Sequence, residues 1–148
     1  MSPGKGYQWV YLLMGVLALW VGMLLYIAGR GSTSPVYLLI PASEYLEKTS
    51  LVKWIGVCLE DHPTLTFSLP DGLWMFGLMC VQLWIWRGVK NKTSTGSLAA
   101  VYILGVGYEA LQSIGITPGT YDKIDLAFMI IGGQLPVIVD YIIQTKTK

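Results

Sequence analysis

From Tyr7 to Ala28 the chain carries no charged residue, and that one feature restricts what it can become more than any other. At about 1.5 Å of helix rise per residue, such a stretch crosses the ~30 Å hydrocarbon layer of a bilayer. It is longer than the apolar region of a secretory leader, only Lys5 precedes it, and Ala28-Gly29-Arg30-Gly31 makes a poor cleavage site. It reads as a retained helix. The rest of the composition agrees. Of 148 residues 53% are apolar and 13% are charged, where a soluble domain carries about 25%. A formal net charge of +1 argues against nucleic acid as a partner, since a nucleic-acid binder shows a clear basic excess. Two cysteines, Cys58 and Cys80, and a single histidine, His62, exclude a disulfide-dense scaffold, a four-cysteine zinc site and a multi-histidine metal centre.

Three more apolar stretches follow. Leu69–Trp86 has Asp71 at its edge, Ser97–Ile116 is interrupted by Glu109, and Ile124–Ile143 contains Asp125 and Asp140. The expected fold is all-α: one polytopic membrane domain over 1–148, a four-transmembrane-helix bundle with helices at 7–28, 69–86, 97–116 and 124–143. The outer connection, 29–68, is punctuated at Ser34-Pro35 and Ile40-Pro41. Within it Ser43 suits the cap of a helix from Glu44 to Leu59. Leu46, Leu51, Trp54, Ile55 and Cys58 recur there at spacings near three and four. That pattern is an amphipathic segment, either lying on the outer leaflet with Trp54 at headgroup level or packed over the mouth of the bundle.

Basic residues near short loops set orientation. Lys5, Arg87, Lys90, Lys92, Lys146 and Lys148 fall on one side; Arg30, Lys48, Lys53 and Lys123 fall on the other, mixed with Glu44, Glu47, Glu60 and Asp61. Both termini are therefore expected in the cytoplasm and the long connection outside. The sequon Asn91-Lys92-Thr93 then faces the cytoplasm, unused. Trp74, Trp84 and Trp86 lie near helix ends, as an interfacial aromatic belt does.

Small residues let helices approach closely in lipid. Gly15, Ala18 and Gly22 share a face of the first span, and Gly96, Gly105 and Gly107 lie in the third. In the fourth, Asp122, Asp125, Met129, Gly132, Gly133, Pro136 and Asp140 form one small or polar stripe; Leu126, Phe128, Ile130, Ile131, Val137, Ile138 and Ile142 lie opposite. Pro136 should bend or loosen that helix.

Acidic side chains within spans cost several kcal/mol and mark functional sites. On this topology Asp71 opens the second span from outside. Glu109 lies roughly 10 Å below the outer end of the third, with Gln112 one turn further out, and Asp122 and Asp125 open the fourth. Asp71 and Asp122 serve equally well as first-turn carboxylates at the positive ends of their helices. Asp125 lies deeper, and Glu109 is beyond the capping range of either end. The candidate ligand-binding set is Glu109, Gln112, Asp125, Asp71 and Asp122. Asp140 is better explained by a helix-end salt bridge with Lys146 and Lys148.

The string Tyr108-Glu109-Ala110-Leu111-Gln112, then Pro118-Gly119-Thr120-Tyr121-Asp122-Lys123-Ile124-Asp125, then Gly132-Gly133, resembles the VanZ-like family of small bacterial membrane proteins. Leu69-Pro70-Asp71-Gly72-Leu73-Trp74 is similar to the second-helix motif of small members of that family. The resemblance spans Leu69 to Gly133. It departs from the family pattern in lacking an arginine in the turn, where Thr120 and Lys123 stand, and an asparagine after it. The resemblance implies a multi-pass protein of the bacterial cytoplasmic (inner) membrane and a tie to the cell envelope and glycopeptide antibiotic resistance.

Three functions follow. An outward acidic pocket would recognise a lipid-linked or glycopeptide-type ligand, by hydrogen bonds or through a divalent cation, since carboxylates and an amide are hard ligands for Mg²⁺ or Ca²⁺. A phosphate group there would need such a cation or Lys123. Alternatively the chain is an accessory subunit of a larger membrane complex, with other membrane subunits as partners besides lipid. An enzyme is the third reading: no nucleophile–base pair is legible, leaving no assignable catalytic residue, and no cofactor is evident. The topology is open to test. A thiol-free chain bearing Lys48→Cys should react with an impermeant maleimide in intact cells, and one bearing Lys92→Cys only after permeabilisation; the reverse pattern inverts the bundle.

Overall fold

A computed structural model describes residues 8–30, 43–86, 89–117 and 121–146. Lys5, Arg87, Lys148, the Ser34-Pro35 and Ile40-Pro41 pairs and Pro118-Gly119-Thr120 lie outside the described residues. The described residues are mostly helical, with no strand among them. In chain order the helices are α1 (Gln8–Arg30), α2 (Ser43–Glu47), α3 (Ser50–Leu59), α4 (Pro63–Phe67), α5 (Leu69–Trp86), α6 (Lys92–Ser113) and α7 (Lys123–Lys146).

Three stretches are long and apolar enough to cross a membrane: α1, α4 running into α5, and α7. Helix α6 is long enough, at 22 residues, but Lys92, Thr93, Ser94, Thr95 and Ser97 open it and Glu109 interrupts it, so it falls short in apolarity. Its limits also differ from the expected 97–116. At the start, the Ser94 amide donates to Asn91 Oδ1 (2.7 Å) and the Asn91 amide to Ser94 Oγ (3.1 Å). This capping box draws the helix back to Lys92. At the end, Ile116 N–H reaches the Leu111 carbonyl and Gly115 N–H the Gln112 carbonyl, each at 3.0 Å. Gly115 sits at φ 73°. That is a Schellman stop, which needs the left-handed conformation glycine adopts freely.

The expected single amphipathic helix is two. It breaks after Glu47, and Thr49, extended at φ −70° and ψ 146°, caps α3 by accepting from the Val52 amide. One side of α3 seats buried Val52, with Ile55, Gly56 and Leu59 partly covered, over the end of α1. The other leaves Leu51, Trp54, Val57 and Cys58 exposed. The segment thus covers the bundle while keeping an apolar outer face.

Helix α5 is the hub, packing closely on both α1 and α7. Gly77 and Gly72, five residues apart, point about 140° apart around it. A methyl group on Gly77 would stand 2.9 Å from the Gly15 carbonyl, and one on Gly15 2.9 Å from the Gly77 carbonyl. One on Gly132 of α7 would collide with the Gly72 carbonyl, and one on Gly72 would stand 3.0 Å from that of Phe128. The small-residue face expected on α1 is buried throughout, at Gly15, Ala18 and Gly22. In α6 only Gly105 makes such a contact, against Met75 and Met129; around Gly96 and Gly107 there is open space. The stripe on α7 faces inward at Asp125, Gly133 and Pro136. The helix runs through Pro136 without interruption, the proline leaving the Gly132 carbonyl without its usual amide partner.

The long helices alternate in direction. Gly15 meets Gly77 and Gly22 meets Pro70 across α1 and α5. Ser97 donates to Gln82 (2.9 Å) while Gly105 meets Met75 across α6 and α5. One end of the bundle therefore gathers Arg30, Asp71, Glu109 and Asp125. The opposite end gathers Trp9, Trp84, Trp86, Lys90 and Asp140, the Trp9 and Trp84 rings 5.7 Å apart. Leu13, Leu17, Ile103, Leu104, Ile131 and Ile138 are all more than half exposed around the flanks. A soluble surface rarely tolerates so extensive an apolar belt, and lipid covers it without cost.

The backbone contact of α5 with α7 predicts a sharp asymmetry among glycines. Gly132→Leu should lower unfolding stability in detergent by about 1–3 kcal/mol or more, through overpacking. Gly107→Ala, in open space, should be neutral or raise it by up to about 1 kcal/mol through helix propensity. Thermal unfolding followed by helical circular dichroism distinguishes them.

Candidate functional site

A hollow of about 970 Å³ opens at the end where α1 stops and α5 begins, near the upper end of the usual range for ligand pockets. Its walls come from five elements. Helix α1 supplies Tyr26 and Arg30, α4 Phe67, α5 Asp71 and Trp74, and α6 Gly105, Tyr108, Glu109 and Gln112. Met129 and Asp125 of α7 and the preceding Tyr121 and Asp122 complete it. All five residues expected to bind ligand, Asp71, Glu109, Gln112, Asp122 and Asp125, line this one space.

Each acid arrives there for a different local reason. Asp122 is the residue before α7, and its Oδ1 accepts from the Ile124 amide at 2.8 Å; it is a helix cap that also faces the hollow. Asp71 and Asp125 each occupy the third position of their helix, where the positive end of the dipole favours a carboxylate. Asp125 lies in the first turn of α7, one turn deeper than Asp122 and buried. Asp71 lies in the field of Arg30, Asp125 and Glu109.

Glu109 runs against local electrostatics. With α6 ending at Ser113, it lies about one turn from the C-terminal end, roughly 6 Å rather than 10 Å. A carboxylate there faces the negative end of the dipole. It is nevertheless buried, with only 7% exposed, and Asp125 beside it only 8%. The Asp122 backbone, at the start of α7, faces the Glu109 carboxylate. Glu109 Oε2 and Asp125 Oδ1 are buried with no hydrogen-bond partner among the described residues. Leaving such oxygens unmatched is costly, on the order of 1–3 kcal/mol each and more when charged.

Arg30 is the functional residue that the sequence pattern did not single out. It closes α1, where a cation complements the helix dipole. Its Nη1 donates to Tyr26 Oη at 3.0 Å, and its guanidinium carbon lies 4.4 Å from the Tyr26 ring centre and 5.8 Å from that of Phe67. The Tyr26 and Trp74 rings are 4.9 Å apart. Trp74 is thus part of the wall, packed inward, rather than a member of the interfacial belt. Lys123, the cation expected to offset the acids, is exposed and does not line the space. Among the described residues no three or more His, Cys, Asp or Glu form a group able to hold a metal ion.

Asp140 stands apart, at the tryptophan end. Gln144 Nε2 donates to its Oδ2, and Tyr11 and Lys90 stand alongside. No bridge to Lys146 forms among the described residues, and Lys148 lies outside them; the helix turn brings Gln144, four residues on, to the same face. Cys58 is exposed and Cys80 is buried, both as free thiols.

No family model, curated protein or solved structure matches this chain.

The capping role of Asp122 separates from its place at the hollow. Asp122→Ala should cost about 1 kcal/mol of unfolding stability, whereas Asp122→Asn should be near neutral. Denaturant titration in detergent reads the difference; equal losses would show that the carboxylate is held for its charge and not as a cap.

Proposed function

We propose that this chain is a four-span protein of the bacterial inner membrane, of VanZ-like type. Its two termini face the cytoplasm, and its acidic hollow opens outward to bind a polar, lipid-linked or glycopeptide-type ligand of the cell envelope. Helix α6 is the fourth span. Its exposed Ile103 and Leu104 suit acyl chains, and its direction, opposite to α5 and α7, is what a single return pass requires. The polar opening turn, from Lys92 to Ser97, lies at headgroup level beside Lys90 and the clustered tryptophans, where aromatic and basic residues anchor a helix to the cytoplasmic interface.

One observation carries the ligand reading. Residues of the family-like strings on three separate helices converge on one space, and the two best buried acids, Glu109 and Asp125, present unmatched oxygens there. A packed structural interior normally pairs every buried polar atom. An envelope-facing binding site leaves some for its ligand, and intramembrane acids are retained for such roles. A divalent cation bridging these carboxylates to the ligand remains part of the proposal, since carboxylates are hard ligands for Mg²⁺ or Ca²⁺.

Glu109→Gln keeps the shape and removes the ionisable proton. It should insert and accumulate normally while abolishing the chain's effect on glycopeptide susceptibility, measured as the inhibitory concentration of such an antibiotic in cells with and without the gene. Unchanged susceptibility with the variant would remove the charge of Glu109 from the function.

A further inference from the structure

We infer that the ligand of this hollow is a zwitterion, with an ammonium group held by Glu109 and Asp125 and an anionic group met by Arg30. The inference rests on the reading of the hollow as a ligand site and adds the chemistry of what fills it. Four chemistries compete, and the lining decides among them.

A bare hard cation fits poorly. Calcium takes six to eight oxygen ligands and magnesium six in strict geometry, while the described acids include no group of three arranged to hold a metal. A simple anion faces four carboxylates against one guanidinium. A neutral polar ligand would hydrogen-bond Glu109 Oε2 and Asp125 Oδ1, yet leave four carboxylates facing one guanidinium, a net negative charge held out of water. An ammonium group satisfies both. It offers three donors and no acceptor, which suits two buried oxygens, and its charge is welcomed by the aromatic faces around it. Tyr108 and Tyr121 line the same space, beside the Tyr26 and Trp74 rings that already pack on Arg30 and on each other.

The anionic half follows from Arg30. The residue is half-buried, and its guanidinium is fixed against Tyr26 by a 3.0 Å hydrogen bond and a 4.4 Å ring contact. A planar guanidinium held in place is suited to a phosphate or carboxylate. Two opposite charges built into separate walls of one space select a ligand that bears both. A phosphoethanolamine headgroup and a soluble amino-acid-like zwitterion share this chemistry.

The test uses the full chain in nanodiscs of phosphatidylglycerol, with thermal stability and native mass spectrometry as readouts. Phosphoethanolamine should stabilise the protein, and ethanolamine and inorganic phosphate should each do so at concentrations about tenfold higher or more. Asp125→Asn, Glu109→Gln and Arg30→Gln should each weaken phosphoethanolamine binding by about tenfold or more. Stabilisation by both phosphatidylethanolamine in the disc and soluble phosphoethanolamine supports the inference. So does stabilisation by the lipid alone, which then identifies the source as the membrane. Inorganic phosphate acting as strongly as phosphoethanolamine overturns it, as does Mg²⁺ or Ca²⁺ binding that depends on Glu109. Silence of every probe on the wild-type chain overturns it too. In those cases a glycopeptide phenotype still lost in Glu109→Gln would leave the ligand-site reading standing, and one retained would end that reading as well.

Discussion

Everything in this fold depends on how closely α5 lets its neighbours approach. In hydrocarbon no hydrophobic force drives helices together, so association rests on packing and on a few polar contacts. Helix α5 meets that demand twice, with Gly77 against Gly15 and Gly72 against Gly132, backbone facing backbone. The two contacts fix α1 and α7 at different angles around one rod. Because α1 runs antiparallel to α5 and α7 parallel to it, the end of α1 and the starts of α5 and α7 fall at one level. The hollow is the space left there, where helix ends diverge and the covering α3 seats on Val52 rather than filling the mouth.

That placement explains the charges. Two helix starts and two helix ends surround the hollow, so their dipoles offer positive potential from α5 and α7 and negative potential from α1 and α6. Asp71, Asp122 and Asp125 follow the positive ends, and Arg30 follows the negative end of α1. Glu109 alone contradicts its own helix, which is why it says more about function than the three aspartates do. Its carboxylate faces instead the backbone of the neighbouring helix start, at Asp122. The chain thus uses the favourable end of α7 to hold an acid that the end of α6 would reject. Removing α7 from its glycine contact with α5 would remove that support too, so the packing seam and the site are one mechanical unit.

How much of this the sequence discloses varies by physical cause. The apolar stretches of α1, α5 and α7 are legible because the bilayer imposes length and apolarity together. The limits of α5, Leu69–Trp86, match the expected ones because Pro70 marks a start and the charged residues after Trp86 end the apolar run. The limits of α6 differ from the expected ones at both ends because local signals set them. Asn91-Lys92-Thr93-Ser94 carries a capping signal, and Ser113-Ile114-Gly115-Ile116 a glycine stop, both of which override hydropathy. Thr49 hid the break between α2 and α3 in the same way. The inward stripe of α7 was readable because its period is long and its members small.

The convergence of Asp71, Glu109, Gln112, Asp122 and Asp125 followed from counting turns on alternating helices, a calculation that survives errors of a few residues. Arg30 escaped it. Its charge alone does not distinguish it from any basic residue at a membrane boundary; the seat of Tyr26, one turn before it, and of Phe67, from a separate short helix, turns it inward. Such a cation can be found in sequence by one rule: when an aromatic precedes an arginine by four residues at a helix end, the two share a face, and the ring orients the charge. Here that face is the one Gly15, Ala18 and Gly22 turn toward α5, so the arginine is carried to the acids by the same close packing that builds the bundle.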